Sequence, residues 1–180
     1  MCRRRCSEVL YLQVEAGQHA AVTTTWALAH LLHFTGFAWA FGSSLSIHRL
    51  VGIASQHSAA QKSGLEIGAR KLVLAGELAG LGLAILGGIL ALVDNPSSLN
   101  PAASGAGAWL HIKLSLVLVL TVVAHLRMFR LARLVRERAA GASEADCDAL
   151  LAAAKTFGLV DLALYVAIFF IATFRFVLFA

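Results

Sequence analysis

Four long apolar runs, separated by shorter polar stretches, dominate the pattern of the chain. They cover residues 24–50, 72–93, 109–131 and 157–179. Each is long enough for the roughly 20 helical residues that cross the hydrocarbon core of a bilayer. None shows the strict alternation of a barrel strand, and only helices and closed barrels satisfy their backbone groups in lipid. The pattern predicts an all-α integral membrane protein, a four-helix bundle of up-down topology that forms a single domain over residues 1–180.

Composition strengthens this interpretation. Hydrophobic residues make up 59% of the 180 residues and charged residues only 14%, and the mean hydropathy is +0.77. Soluble domains carry about 25% charged residues, so an ordinary soluble protein is excluded. The formal net charge of +5 is typical of a basic collar that contacts anionic membrane lipid. We therefore expect lipid as a partner and no nucleic acid.

The distribution of basic residues predicts the orientation. The polar stretches 51–71 and 132–156 contain lysines and arginines, whereas the connection 94–108 contains neither. Short loops rich in Lys and Arg stay on the cytoplasmic side. Arg3 to Arg5 favour the opposite orientation but are outnumbered. We expect a multi-pass protein of a bacterial inner membrane, with 51–71 and 132–156 as cytoplasmic loops and both termini on the outer side.

Histidines concentrate in the first and third predicted helices. The first contains His33 and His48, and the third contains His111 and His125. The two histidines of each helix lie roughly four turns apart, so they share one face. The first and third helices run in the same direction in an up-down bundle. We therefore expect His33 to face His111 near the outer side, and His48 to face His125 near the inner side.

Histidine pairs at this spacing are similar to the two-haem plan of membrane b-type cytochromes. Imidazole binds haem iron axially, and a helix bundle can enclose the macrocycle. The spacing predicts one or two bis-histidine haem b groups. Two alternatives stay open: His30 could replace His33 as a ligand, and the imidazoles could instead form hydrogen bonds between helices.

Two short motifs give the chain a family resemblance. The string WLHIKL, at 109–114, resembles the signature of the HemJ-type protoporphyrinogen IX oxidases, small haem-binding membrane proteins related to the CopD-like proteins. HFTGFAW, at 33–39, followed by Arg49-Leu50, is similar to the first helix of the same family. The fourth helix departs from the family's Asn-Glu-x-Pro pattern and reads KTFGLVDLALY.

The resemblance implies roles for individual residues. It makes His33 and His111 haem ligands and gives Lys113 a catalytic role. The positions expected to contact the cofactor are Arg49, Lys113, Arg175, Gly36 and Gly80. Lys113 and Arg175 could pair with haem propionates or extend to the headgroups.

Two acidic residues fall within the apolar runs. Glu77 is costly in lipid when ionised; it could handle protons, pair with Arg49 or extend to the interface. Asp161, at the inner end of the fourth helix, is expected to cap that helix or to meet arginines of the preceding loop.

The leading functional hypothesis is a membrane haem b protein that transfers electrons within or across the bilayer, with a quinone, a redox protein or a larger membrane complex as partner. The enzymatic alternative is HemJ-like oxidation of protoporphyrinogen IX. Copper transport of the CopD-like kind ranks lower, because Cu(I) prefers sulfur ligands and the chain has only two methionines and three cysteines. A structural subunit is the remaining alternative.

Overall fold

The computed structural model describes the backbone of residues 2–54, 56–57, 59–94 and 106–178, and side chains within 24–54, 56–57, 61–93 and 109–174. Over these residues the chain is helical, with no strand. The elements are α1 (Cys2–Ala54), α2 (Ala59–Leu72), a π-helical segment (Val73–Leu78), α3 (Ala79–Asp94), α4 (Ala106–Ala139) and α5 (Glu144–Leu178). The predicted all-α class is confirmed.

The helices extend beyond the apolar runs that predicted them. The stretch 51–71 contains all but the last residue of α2, and 132–156 is helical except for four residues between α4 and α5. Hydropathy detects only the apolar part of a helix, whereas the backbone hydrogen bonds continue wherever charged side chains reach water or an ion pair. The two stretches predicted as loops are therefore mostly helix.

The turn between α4 and α5 has clear local causes. Gly141 has a φ of 78°, the left-handed conformation that commonly ends a helix. Ser143 then begins α5, because its hydroxyl accepts a hydrogen bond from the Asp146 N–H at 3.2 Å. The four-residue turn folds α5 back along α4, and the two helices pack together extensively.

Ion pairs join α2, α4 and α5 at the end where this turn lies. Arg138 of α4 contacts Glu66 of α2 at 2.8 Å and Glu144 of α5 at 2.7 Å. Lys62 of α2 contacts Glu144 at 3.5 Å and Asp148 at 3.2 Å. An apolar cluster drawn from α1, α2, α4, α5 and the π-helical segment includes the buried residue Cys147. Lys62 and Arg138, two basic residues of the predicted collar, are thus paired with acidic residues.

Glycines let α1 and α3 approach backbone to backbone. A Cβ at Gly80 would lie 2.6 Å from the Ala40 nitrogen, and one at Gly87 would lie 2.5 Å from the His33 nitrogen. Gly36 likewise faces the backbone of Ala84. The α1 positions fall in number as the α3 positions rise, so the two helices run antiparallel. Small residues permit this separation, as in other membrane helix pairs.

Three helical stretches are long and apolar enough to cross a membrane: Gln61–Val93, Trp109–Ala139 and Glu144–Phe174. The part of α1 with described side chains does not reach the same hydropathy, because histidines and serines interrupt its apolar residues. Large apolar side chains nevertheless cover its outer surface, among them Leu31 and Phe34, which are 64% and 66% exposed. The chain is a membrane protein by these criteria.

We predict that Gly80→Ala separates α1 from α3. The added methyl group meets the backbone of Ala40, which cannot move aside as a side chain would, and overpacking of this kind costs roughly 1–3 kcal/mol. The measurement is thermal or SDS-induced unfolding of the purified protein in detergent.

The matched control is Gly82→Ala, two residues away, where an added Cβ meets nothing within 4 Å. This change should be neutral or slightly stabilising, since alanine favours the helix more than glycine does. Equal stability of the two variants would contradict the packing described for α1 and α3.

Candidate functional site

A cluster of three charged side chains lies between the helices, with Arg127 at its centre. The Arg127 Nη1 atom is 3.0 Å from Asp161 Oδ2 and 3.4 Å from Glu77 Oε2. It also donates to the Ser44 hydroxyl at 3.0 Å, while Nη2 donates to the Ser44 carbonyl at 3.3 Å. The side chains of Arg127, Glu77 and Asp161 are each 0% exposed. We call these three residues the buried charge cluster.

Four helical stretches contribute to this arrangement. Ser44 lies on α1, Glu77 in the π-helical segment, Arg127 on α4 and Asp161 on α5. The π-helical segment affects the direction of Glu77, because its turns hold one more residue than α-helical turns and so rotate the side chains that follow. Such segments are frequent at functional sites. Gly76, next to Glu77, lies directly against the Ser43 side chain. The segment therefore brings a carboxylate to the interior rather than to the lipid.

Several atoms in and around the buried charge cluster have no hydrogen-bond partner. They are Glu77 Oε1, Asp161 Oδ1, Arg127 Nε, the Tyr165 hydroxyl and His48 Nδ1. Tyr165 is 1% exposed, and its ring packs edge-on against Phe37 and Phe41 of α1. Buried polar atoms are rarely left unpaired in proteins. Five unpaired polar atoms in one region therefore mark it as polar enough to take up water, protons or ions.

A second polar contact joins α1 to α4 at a different level. The Lys113 ammonium lies 3.2 Å from His33 Nε2, and the His33 Nδ1–H donates to the Ala84 carbonyl of α3 at 2.7 Å. The carbonyl can only accept, which fixes the proton on Nδ1 and leaves the Nε2 lone pair facing Lys113. Lys113 also lies 5.6 Å from the centre of the Trp109 ring, within range of a cation–π contact. We call this the His33–Lys113 contact.

The other predicted ligands lie in different surroundings. His111 and His125 are exposed on the outer surface of α4, and His125 Nδ1 bonds to the Thr121 carbonyl of its own helix at 2.7 Å. His48 is half-buried, and its ring lies beside the Arg127 guanidinium. A Cβ placed on Gly158 would lie 3.2 Å from both His48 Nδ1 and Arg127 Nη2. The structure therefore brings His33 together with Lys113, and His48 together with the buried charge cluster.

The remaining predicted site residues are scattered. Arg49 lines an open groove of about 380 Å³ with His48 and Lys155, and Glu77 pairs with Arg127 rather than with Arg49. Gly36 and Gly80 lie in the contact between α1 and α3, so their small size serves that contact. The side chain of Arg175 lies outside the described residues. His30, the alternative ligand, is half-buried and bonds to the Trp26 carbonyl of its own helix at 2.8 Å.

Groups of three or more His, Cys, Asp or Glu side chains that could hold a metal ion are absent from the described part of the chain. This absence concerns a metal ion held by side chains alone. It does not apply to a haem iron, which needs only two axial ligands from the protein. Among the described histidines, His33 has its Nδ1 atom bonded to another helix and its Nε2 atom in contact with Lys113.

Arg127 is the residue of the buried charge cluster that the sequence pattern did not single out. It lies in the third apolar run, close to the charged end of α4. The available signal was its coincidence with Glu77 and Asp161, two acidic residues in other apolar runs. Charges within membrane segments pair with one another, and Asp161 does meet an arginine that precedes α5.

Comparison of the chain with models of known protein families, with curated proteins and with solved structures finds no match.

We predict that Arg127→Met strongly destabilises the protein. The change leaves the two buried carboxyl groups without their cation, and breaking a buried ion pair in this way costs roughly 3–5 kcal/mol. Adding Glu77→Gln and Asp161→Asn to the same protein should restore much of the loss, because the uncompensated charge is removed. The measurement is unfolding in detergent by circular dichroism.

Arg133→Met is the matched control, because Arg133 lies on the same helix with its side chain 58% exposed and paired only with Glu137. An exposed pair of this kind contributes about 0–1 kcal/mol. Similar losses for Arg127→Met and Arg133→Met would show that the buried charge cluster does not hold the helices together.

Proposed function

We propose that the chain is an integral membrane haem b protein that transfers electrons within or across the bilayer. The observation that supports this function best is the state of the His33 imidazole. Its Nδ1 proton is held by the Ala84 carbonyl, and its Nε2 lone pair is directed at a cationic group. Histidine ligands of metals typically have this second hydrogen bond to a carbonyl, which fixes the ring and its tautomer.

The contact between α1 and α3 limits where a porphyrin could lie. Gly36, Gly80 and Gly87 are filled by the opposite backbone, so the space between these two helices is too narrow for a macrocycle. The Nε2 atom of His33 instead faces α4, where Lys113 and Trp109 lie. We therefore propose that haem binds on the α4 side of His33. His111, the partner that the spacing predicted for His33, is exposed on α4, and Lys113 is the α4 side chain in contact with His33.

Lys113 has a role that follows from its charge. Haem carries two propionates, and an ammonium in the hydrocarbon region is costly unless it is paired. In the proposed complex Lys113 leaves His33 Nε2 and pairs with a propionate, while Trp109 continues to cover its charge by a cation–π contact. The haem supplies the one-electron chemistry, and the protein supplies the ligand, the counter-charge and a water-poor environment.

One haem is better supported than two. His33 has its ring fixed by a neighbouring helix, whereas His48 Nδ1 has no hydrogen-bond partner and its ring lies beside the Arg127 guanidinium. We propose His33 for the haem that binds, with His111 as the second ligand that the spacing predicts, and keep His48 and His125 as the candidates for a second haem.

The same contact favours a second candidate function. The resemblance to HemJ-type proteins gives essential roles to the residues at His33 and Lys113, and these two side chains touch. Oxidation of protoporphyrinogen IX requires an electron acceptor, for which a membrane quinone has suitable chemistry. We therefore propose HemJ-like oxidase activity as the alternative to simple electron transfer.

The proposed membrane arrangement has four spans in up-down order, with both termini on the outer side of a bacterial inner membrane. Two antiparallel helix pairs, α1 with α3 and α4 with α5, are consistent with it. The basic residues of α2 and of the last turns of α4 would then lie at the cytoplasmic surface. Single cysteines placed at Ser98 and Ala140 in a cysteine-free background should react with a membrane-impermeant reagent from opposite sides.

We predict that the protein purified from membranes carries haem b, and that His33→Ala lowers the haem content to a small fraction of the wild-type value. Loss of the oriented imidazole removes an axial bond to the iron. The measurements are a reduced-minus-oxidised absorption spectrum and a pyridine haemochrome assay per chain. Lys113→Met should keep the spectrum but weaken haem retention, since it removes only the counter-charge.

The control is His57→Ala, because His57 is exposed, lies beyond the end of α1 and bonds to the Ile53 carbonyl of its last turn. His30→Ala separates the two candidate ligands of α1. A wild-type protein without haem, or full haem content in His33→Ala, would refute the proposal. If haem is present, formation of protoporphyrin IX from its reduced precursor with a quinone then distinguishes the oxidase from the electron carrier.

A further inference from the structure

We propose that Glu77 and Asp161 form a proton-binding site around Arg127, which holds one exchangeable proton and exchanges it through His48 with the groove that Arg49 and Lys155 line. This function is separate from haem binding and does not depend on it. It assigns a role to the buried charge cluster, which lies away from the His33–Lys113 contact.

The first argument is the balance of charge. Two carboxyl groups and one guanidinium are fully buried together, so full ionisation would leave one negative charge inside an apolar bundle. An uncompensated buried charge is far costlier than a neutral acid that has a hydrogen-bond partner. One proton shared by the two carboxyl groups makes the cluster neutral.

The second argument is the arrangement of the oxygen atoms. Arg127 Nη1 is shared among Asp161, Glu77 and Ser44, so it holds neither carboxylate by a two-pronged contact. Each carboxyl group keeps one oxygen without a partner, Oε1 of Glu77 and Oδ1 of Asp161. These are the atoms that a proton can occupy without breaking an existing contact. The Tyr165 hydroxyl, also buried and unpaired, supplies a further polar group.

The charged and titratable groups around the site come from every element packed against it. From α1 they are His48 and the hydroxyl of Ser44, and from α4 Arg127 is the cation. From α5 they are Asp161 and Tyr165, and the π-helical segment contributes Glu77. Beyond His48, the groove adds Arg49 and Lys155.

The third argument is a route to water. His48 lies between the two regions, because its ring adjoins Arg127 at Gly158 and also lines the groove. Its Nδ1 atom is buried without a partner. For uptake, Nε2 of the neutral imidazole accepts a proton from hydronium in the groove, whose O–H bond breaks to leave water. The Nδ1–H bond then breaks and an O–H bond forms on a carboxylate, which leaves the imidazole neutral with its proton on Nε2. The sum of these steps is one proton taken up, with no oxidation or reduction.

The cations around His48 make this transfer brief. Arg127 adjoins the imidazole, and Arg49 and Lys155 line the groove beside it, so like charges repel the protonated, cationic imidazole. The proton is therefore stored on the carboxyl groups and only passes through His48. Substitution of His48 should change the rate of exchange and leave the occupancy of the site unchanged.

The test is infrared spectroscopy of the protein reconstituted in lipid, titrated with pH. At neutral pH we expect the C=O stretch of a protonated carboxylic acid, which shifts when the sample is placed in D2O. Glu77→Gln or Asp161→Asn should remove this band or change it, whereas Glu137→Gln should leave it intact because Glu137 is 41% exposed and paired with Arg133. His48→Ala should keep the band and slow its exchange in D2O several-fold.

Absence of a protonated carboxyl band at neutral pH, or a band that both cluster variants leave unchanged, would overturn the site. Exchange at the wild-type rate in His48→Ala would overturn the route. If neither cluster variant folds, carboxyl-labelled aspartate or glutamate incorporated into the wild-type protein assigns the band instead. These results are read without haem, so they are independent of the outcome of the haem assay.

Discussion

The structure depends on the neutralisation of one guanidinium inside an apolar helix assembly. Arg127 contacts three of the other helical stretches through Ser44, Glu77 and Asp161, and all of its partners are buried. Apolar side chains alone give little direction to membrane helices, because lipid is as apolar as leucine. Polar contacts that can be made in only one arrangement fix which helix faces which. The buried charge cluster is such a contact for α1, α4, α5 and the π-helical segment.

Glycine packing and the π-helical segment together set the orientation of the continuous helical stretch that runs from α2 to α3. Gly80 and Gly87 hold α3 against the α1 backbone, which fixes the rotation of α3. The π-helical segment before it changes the rotation of the residues that precede α3, and so Glu77 is directed at Arg127 while α3 keeps its glycine face on α1. A regular α-helix through this region would have to give up one of the two contacts.

Hydrophobic patterning predicted the helices well, because the apolar runs are long and lie inside real elements. It missed their charged extensions, since α2 and the ends of α4 and α5 are stabilised by ion pairs between residues distant in sequence, such as Arg138 with Glu66. Helical spacing predicted that His111 and His125 share a side of α4 that faces α1. Spacing within one helix cannot give the rotation of that helix against its neighbours, and both residues are exposed in the structure.

Two polar bridges link α1 and α4, which are otherwise joined mainly through the helices between them. One runs from His33 to Lys113 and the other from Ser44 to Arg127, and both positions increase in the same direction along the two helices. The two bridges lie at separate levels of these parallel helices, so together they fix both the height and the rotation of α4 against α1.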